Sequence, residues 1–337
     1  MKKTFHEFFR LSEDEFNALW QAGLISFDAN VLLNLYRYSP QSSNSLVELI
    51  RNYSDRIRLP HQFALEYARN RPRVIMDQVK FYSKAEADLV AFERDLISSK
   101  RQHPHLSDEA LDAFRKIVDE LVEKRKAVER LMSADPYADF ILTACAGKVG
   151  EVMDDDRLNE SYAKGKARYE NLIPPGFADI YKGSPECYGD YIAWEQLISI
   201  STTEKRGIIL VIDDLKEDWW WIESGRTVGP RPELLSEFVS RSGQRIWLYS
   251  SEGFLRAATR YVGAAVSESL LKDVRAQLED ARRRQLETKD KLKTIDEELP
   301  NEAKERADIS KTDKAIASNG EVQSSDKPSS QSFDKET

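Results

Sequence analysis

Leu24-Ile25-Ser26-Phe27-Asp28 is a short apolar run that ends in a carboxylate. Far along the chain, Ile208-Ile209-Leu210-Val211-Ile212-Asp213-Asp214 repeats the arrangement. Short β-branched runs flanked by polar segments read as fully buried strands of a parallel sheet. Ligands of open α/β sheets bind just beyond the carboxyl ends of the strands. Two strands that each deliver an acid to that edge predict a shared metal site, provided the strands lie together.

The rest of the pattern is built outward from these runs. Ser12-Glu13-Asp14-Glu15 opens a helix with Ser12 as N-cap and acids in its first turn, and Gly23 ends it. Ala29 to Tyr38 predicts a helix, stopped by Ser39-Pro40. Ile57-Arg58-Leu59 predicts a second strand, followed by Pro60 at the first position of a helix to Asn70 that carries Glu66. Met76, Val79, Leu89, Phe92 and Leu96 recur at helical spacing, as do Leu111, Phe114, Val118, Leu121, Val128 and Leu131 beyond His103-Pro104-His105. This predicts a helical hairpin inserted at about residues 74–135. Ile141 to Val149 leaves helix and strand both open. Gly147 to Cys187, rich in Gly, Pro, Asp and Lys, reads as a long ordered loop, and such loops are usually functional. A helix from Tyr191 to Ile200 follows, with Asp190 as N-cap or in the first turn. After the second apolar run come a helix at Pro232–Val239, closed by Gly243, and a last strand at Arg245–Tyr249.

The resulting plan has an N-terminal helical segment (1–23), an α/β domain (24–261), a charged helix (262–300) and a tail (301–337). Leu271, Val274, Leu278 and Ala281, then Leu292, Ile295 and Leu299, form a heptad pattern that Pro300 ends. It predicts a coiled coil able to join two copies into a homodimer. The tail lacks aromatics until Phe333 and is expected to be disordered.

Hydrophobic content of 41% is enough for a full core. The formal net charge of -8 argues against a protein that coats nucleic acid by bulk electrostatics. It leaves open a nuclease whose metal ions carry the positive charge to the phosphate. Cys145 and Cys187 form no metal-ligand spacing and no disulfide framework. No apolar stretch follows Lys2-Lys3, and none reaches the length of a membrane span. The expectation is a soluble cytoplasmic protein without a membrane partner.

Four acids stand out by position: Asp28 and Asp214 after strands, Glu66 on the helix after the second strand, and Asp190 at the head of the helix before the second run. In a parallel sheet all four places can converge on one edge. Clustered carboxylates repel one another, and a hard divalent cation with oxygen ligands removes that cost. Such an ion can activate water and stabilise the attacking and leaving oxygens. Each acid also has a plainer role open to it. Asp28 and Asp190 could cap helices, Glu66 could lie on a solvated face, and Asp213-Asp214 could be turn residues.

These residues resemble PIN-domain nucleases. Phe27-Asp28-Ala29-Asn30-Val31-Leu32-Leu33 is similar to their opening Asp-x-Asn-hydrophobic signature. Leu65-Glu66 resembles the second acid, Asp190-Tyr191-Ile192-Ala193-Trp194 the third, and Val211-Ile212-Asp213-Asp214 the fourth. Leu65-Glu66-Tyr67-Ala68-Arg69-Asn70-Arg71, Ile173-Pro174-Pro175-Gly176-Phe177, Tyr188-Gly189-Asp190 and Asp213-Asp214-Leu215-Lys216-Glu217-Asp218-Trp219-Trp220 extend the likeness to a bacterial PIN-like subgroup. The resemblance covers about residues 24–250. It implies a three-layer α/β/α sandwich around a central parallel sheet and a Mg²⁺- or Mn²⁺-dependent phosphodiesterase. The usual substrate is RNA and occasionally structured DNA. Ile212 stands where the family usually has Thr or Ser. Spacing from the strand favours Asp214 over Asp213 as the ligand, with Asp213 assisting.

Around the acids, Asn30, Arg69, Arg71, Lys164, Arg168 and Lys216 are candidates to hold substrate phosphates or to orient the ligands. Trp219-Trp220-Trp221 can stack bases or pack the core, and core packing is the reading preferred for at least two of them. Two rival functions fit parts of the pattern. A haloacid-dehalogenase-type phosphatase also places an Asp after its first strand, but Asn30 stands where its general acid belongs and Glu66 gains no role. A non-catalytic PIN-like scaffold acting through its coiled coil would have no use for the intact acid set.

Overall fold

In the computed structural model, which describes residues 1, 4–98, 107–288 and 290–291, the two apolar runs are neighbours. Strands β1 (Leu24–Phe27) and β2 (Ile208–Val211) pair in parallel, Leu24 opposite Ile208 and Phe27 opposite Val211. All eight residues are buried, seven of them apolar and the eighth Ser26. The expected second strand at Ile57–Leu59 forms only single parallel bridges, Ile25 with Ile57 and Leu59 with Val149.

The chain is mixed α/β and mostly helical. Helix α1 (Glu13–Ala22) carries the expected capping box: Ser12 Oγ accepts from the Glu15 amide and the Glu15 carboxylate accepts from the Ser12 amide. Helices α2 (Ala29–Leu33), α3 (Pro40–Arg51) and α4 (His61–Ser98) follow. Two differences from the sequence reading arise here. Ser39-Pro40 starts a helix as well as stopping one, because Ser39 caps it and proline fits a first turn. Helix α4 runs without interruption past Pro72. Helix α5 (Asp108–Arg130) lies antiparallel along α4: Phe92 meets Phe114 at 5.5 Å, and Glu86 pairs with Arg125 at 3.2 Å. The base of this pair is tied down by Asp135, which accepts from Tyr36 Oη (2.7 Å) and Arg71 Nε (2.7 Å).

Helix α6 (Pro136–Ala144) settles the open stretch at its start. The expected long loop at Gly147–Cys187 is corrected by helix α7 (Asp155–Glu170). Asp154 caps it, two acids fill its first turn, and Gly165 lets the Tyr188 ring press against it. Helix α8 (Gly189–Glu204) leads into β2. An antiparallel hairpin then follows, β3 (Trp220–Glu223) with β4 (Arg226–Pro230), which the sequence reading lacked. Helix α9 (Pro232–Ser242) ends at Gly243, whose φ of 68° is the left-handed conformation glycine tolerates. Strand β5 (Ile246–Tyr249) pairs in parallel with β2, giving the order β1-β2-β5, and α10 (Ser251–Val262) follows.

Beyond α10 the chain is still part of this body, which extends to Arg282. Leu270 and Val274 are buried in the main core, and Leu271 and Leu278 pack against it. Asp273 accepts from the amide (2.9 Å) and hydroxyl (2.7 Å) of Ser39. This half of the heptad stripe is therefore used within the chain. Leu292, Ile295 and Leu299, and the tail, lie outside the described residues. The described residues of the second unit, within 283–291, are helical. Among the described residues no helix is long and apolar enough to cross a membrane.

Candidate active site

Because β1 and β2 are parallel neighbours, Asp28 and Asp213-Asp214 emerge at the same sheet edge. Asp28 occupies the N-cap position of α2, but its side chain makes no capping bond. Its Oδ2 is buried without a hydrogen-bond partner. Capping therefore does not account for this acid. Glu66 sits in the second turn of α4, where Gln62 Nε2 donates to its Oε1 at 2.7 Å. Asp190 is in the first turn of α8 and accepts from Trp219 Nε1 at 3.2 Å.

Gly189 brings α8 close to Glu66. A Cβ at Gly189 would lie 2.7 Å from Glu66 Oε1 and 3.2 Å from Gln62 Nε2. Gly189→Ala is expected to displace the Glu66 carboxylate and, on the metal-ligand role proposed for Glu66 below, to lower turnover roughly 10- to 100-fold. Stability should hold, since alanine favours a helix by about 1 kcal/mol over glycine. Thermal melts beside initial rates separate the two effects.

Asp179, which the sequence reading missed, completes the cluster. It is buried in the Pro/Gly segment, three residues past Gly176. Oxygens of Asp179, Asp190 and Asp214 all lie within 4.8 Å of one another. Two lysines enter the same space. Lys216 Nζ is 2.8 Å from Asp179 Oδ1 and 2.5 Å from Asp214 Oδ2, and Lys182 Nζ donates to Asp179 Oδ2 at 2.7 Å. The Lys216 amide donates to Asp214 Oδ1 at 3.0 Å.

Two other acids hold the frame. Asp213 accepts from Asn34 Nδ2 (3.1 Å), the Ser251 amide (2.8 Å) and Ser251 Oγ (2.7 Å), pinning the start of α10 beside α2. Removing it strands three buried donors. Asp213→Ala is expected to cost about 3 kcal/mol or more in urea unfolding, the usual scale for stranded buried donors and broken buried pairs. Asp218, fully buried, accepts from the amides of Gly176 (2.9 Å) and Ala178 (3.1 Å) and so fastens the segment that carries Asp179. Gly176 has φ of 95°, and a Cβ there would overlap the Tyr169 hydroxyl. Trp220 Nε1 donates to the Asp214 carbonyl at 2.6 Å. Trp219 and Trp220 are buried, in keeping with core packing for two of the three, and their indole N–H groups also steady the acid cluster.

The cationic candidates divide. Arg168 is held by both oxygens of Glu237 and by the Pro174 carbonyl, and lies over the Tyr191 ring. Arg71 is paired with Asp135, and exposed Lys164 pairs with Glu160 along its own helix. Asn30 and Arg69 are exposed, one residue past the start of α2 and three past Glu66. Lys216 stands inside the cluster.

The electrostatics follow from burial. Desolvation, then Glu66, Asp214 and Asp213, pushes Asp28 up to about 8, and the nearby Asn30 amide only partly offsets this. Burial also raises Glu66, against the Gln62 hydrogen bond and the lysines. Asp190 is raised well above the carboxylate range by burial, with Lys216 opposing. Asp218 is pushed up to about 6 by burial and by Asp214. Burial works against the Lys216 ammonium, but Asp190, Asp214 and Asp179 outweigh it and hold its pKa above the usual lysine value. Ionising these buried carboxylates together would place more negative charge here than two lysines balance, and the raised values of Asp28, Glu66 and Asp190 express that cost. The donor set is all oxygen, with no His or Cys in the cluster, which suits a hard divalent cation.

The fold thus gathers buried acids from separate segments at the carboxyl edge of a three-stranded parallel sheet. A family model described as a PIN like domain matches residues 24–234, and the chain belongs to that family, whose members are generally nucleases. No curated protein and no solved structure matches the chain.

Proposed function

We propose that this protein is a divalent-metal-dependent nuclease that hydrolyses phosphodiester bonds of RNA. One observation carries the reading: Asp179, Asp190 and Asp214, from three separate segments, bring oxygens within 4.8 Å of one another at the strand edge. Asp28 and Glu66 stand beside them, with an Asp28 oxygen that no protein donor reaches. Asp28, Glu66, Asp190 and Asp214 would hold Mg²⁺ or Mn²⁺, with Asp179 as a further ligand. Asp213 has the role of positioning residue, since its oxygens are already engaged. A bound cation supplies charge neutralisation at the phosphate and lowers the pKa of water.

The chain's own residues do the remaining work. The buried acids exclude solvent from one side and fix where the cation sits. Asn30, Arg69 and Lys216 are the groups left to hold phosphate oxygens. Arg71, Lys164 and Arg168 support the scaffold through their ion pairs. We further propose a cytoplasmic setting and the family's three-layer sandwich.

The test is purified protein on labelled RNA and labelled single-stranded DNA with Mg²⁺, Mn²⁺ or a chelator. Cleavage of RNA that requires the cation supports the reading. Cleavage undiminished by chelator refutes metal dependence, and preference for DNA refutes the substrate class.

A further inference from the structure

The turn that carries Asp179 also has an outward face. It is a 3-10 helix, Phe177–Lys182, in which residues three apart lie over one another. Asp179 and Lys182 share the inner side, where Lys182 Nζ donates to Asp179 Oδ2 at 2.7 Å. Ile180 and Tyr181, between them, turn to solvent and are 60% and 46% exposed. The Lys182 side chain is itself 43% exposed, so it meets both the acid and the solvent. This turn is firmly held. Asp218 fastens the Gly176 and Ala178 amides, and Arg168 holds the Pro174 carbonyl just ahead of them. The anchoring that fixes Asp179 inside therefore also fixes the ring of Tyr181 on a rigid base outside.

We propose that Tyr181 and Lys182 form a nucleotide subsite for single-stranded RNA, Tyr181 stacking an unpaired base and Lys182 holding a phosphate beside it. This rests on the nuclease reading above. Two residues separate Tyr181 from Asp179, so their Cα atoms lie within about 7 Å, and a base on the ring belongs to a nucleotide close to the acid cluster. An aromatic face accepts any base, and Ile180 widens the apolar ledge. A base inside a duplex has both faces covered by its neighbours and offers only its edges, so the ledge selects an unpaired strand. The lysine decides the class of partner. Beside a phosphate its ammonium gains an opposite charge, whereas an apolar protein surface laid over the ledge would desolvate it without return.

The experiment measures binding by fluorescence anisotropy, with the full chain in Ca²⁺ and three labelled RNAs of equal length: a single strand, a blunt duplex and a strand of abasic nucleotides. Tyr181→Ala is expected to weaken single-strand binding about 10-fold, within the range that one stacked base contributes, and Tyr181→Trp to stay within about twofold of wild type. The abasic strand should bind the wild type about 10-fold more weakly than the normal strand and be indifferent to Tyr181→Ala. Lys182→Gln should reduce the salt dependence of binding by about one phosphate contact. With Mn²⁺, the Tyr181→Ala loss should appear in KM rather than kcat. Equal affinity of wild type and Tyr181→Ala, duplex bound as tightly as single strand, or an unchanged salt slope overturns this inference, while metal-dependent cleavage by the same protein leaves the nuclease reading intact. A wild type that neither binds nor cleaves RNA overturns both. If Tyr181→Ala melts early, the abasic strand on the wild type still decides.

Discussion

Asp28→Asn is expected to lower cleavage by at least about 10³-fold while making the metal-free protein more stable at alkaline pH. The first effect follows because a ligand that anchors a transition-state cation is worth several kcal/mol, and each 1.36 kcal/mol is tenfold in rate. The second follows from burial. Asp28 titrates at about 8 in the fold against an ordinary 3.8, so at pH 9 the wild type carries a desolvated charge facing Glu66 and Asp214. Asparagine keeps the shape and removes that charge. The gap narrows as pH falls and closes only toward about pH 4, where the unfolded chain also keeps its proton. Rates on labelled RNA and melts at pH 4 and pH 9 in chelator check both parts. A variant that loses activity and stability together at every pH would mark Asp28 as a folding residue instead.

The second large effect concerns the cation itself. A carboxylate whose folded pKa is raised keeps a proton that the unfolded chain has lost. Between about pH 4 and pH 8 the folded form of Asp28 therefore binds more protons, and metal-free stability declines as pH climbs through that window. A divalent ion reverses the trend because it binds the ionised acids and expels the proton. Its apparent affinity should rise with pH up to about 8 and then level off. At a hundredfold excess over Kd, binding stabilises by about 2.7 kcal/mol, which raises Tm by roughly 5 °C or more. Thermal melts with and without Mn²⁺ from pH 5.5 to 8.5 should show a shift that grows with pH. A shift independent of pH would mean that the ion binds elsewhere.

The elements that a local pattern dictates were legible in the sequence. The two runs, apolar but for Ser26, became neighbouring strands because neither offers a polar face to water, and Ser12 with Glu15 carries a capping box in its own letters. Asp28, Glu66 and Asp190 could be proposed because each sits at a strand end or beside a helix start. Asp179 could not be proposed that way. It lies among glycines and prolines, and it reaches the cluster only because Asp218, thirty-nine residues further on, clamps the backbone around it. The burial of that segment is a tertiary property, with no periodicity to announce it. Helix α7 was hidden for a related reason: its polar composition and internal glycine suit a loop, and only the Tyr188 ring packed on Gly165 explains the glycine. The phosphate-binding role expected of Arg71 and Arg168 had a sequence basis, but their carboxylate partners, Asp135 and Glu237, are sixty-four and sixty-nine residues away.

The family match stops at residue 234, yet the third strand of the sheet begins at Ile246. Leu270 and Val274 plug the same apolar interior, and Asp273 holds the entrance of α3. A fragment trimmed to the recognised segment would bare one flank of β2 and a hydrophobic hole beside it, an invitation to stick to its own kind. The compact unit to which these side chains belong extends to Arg282.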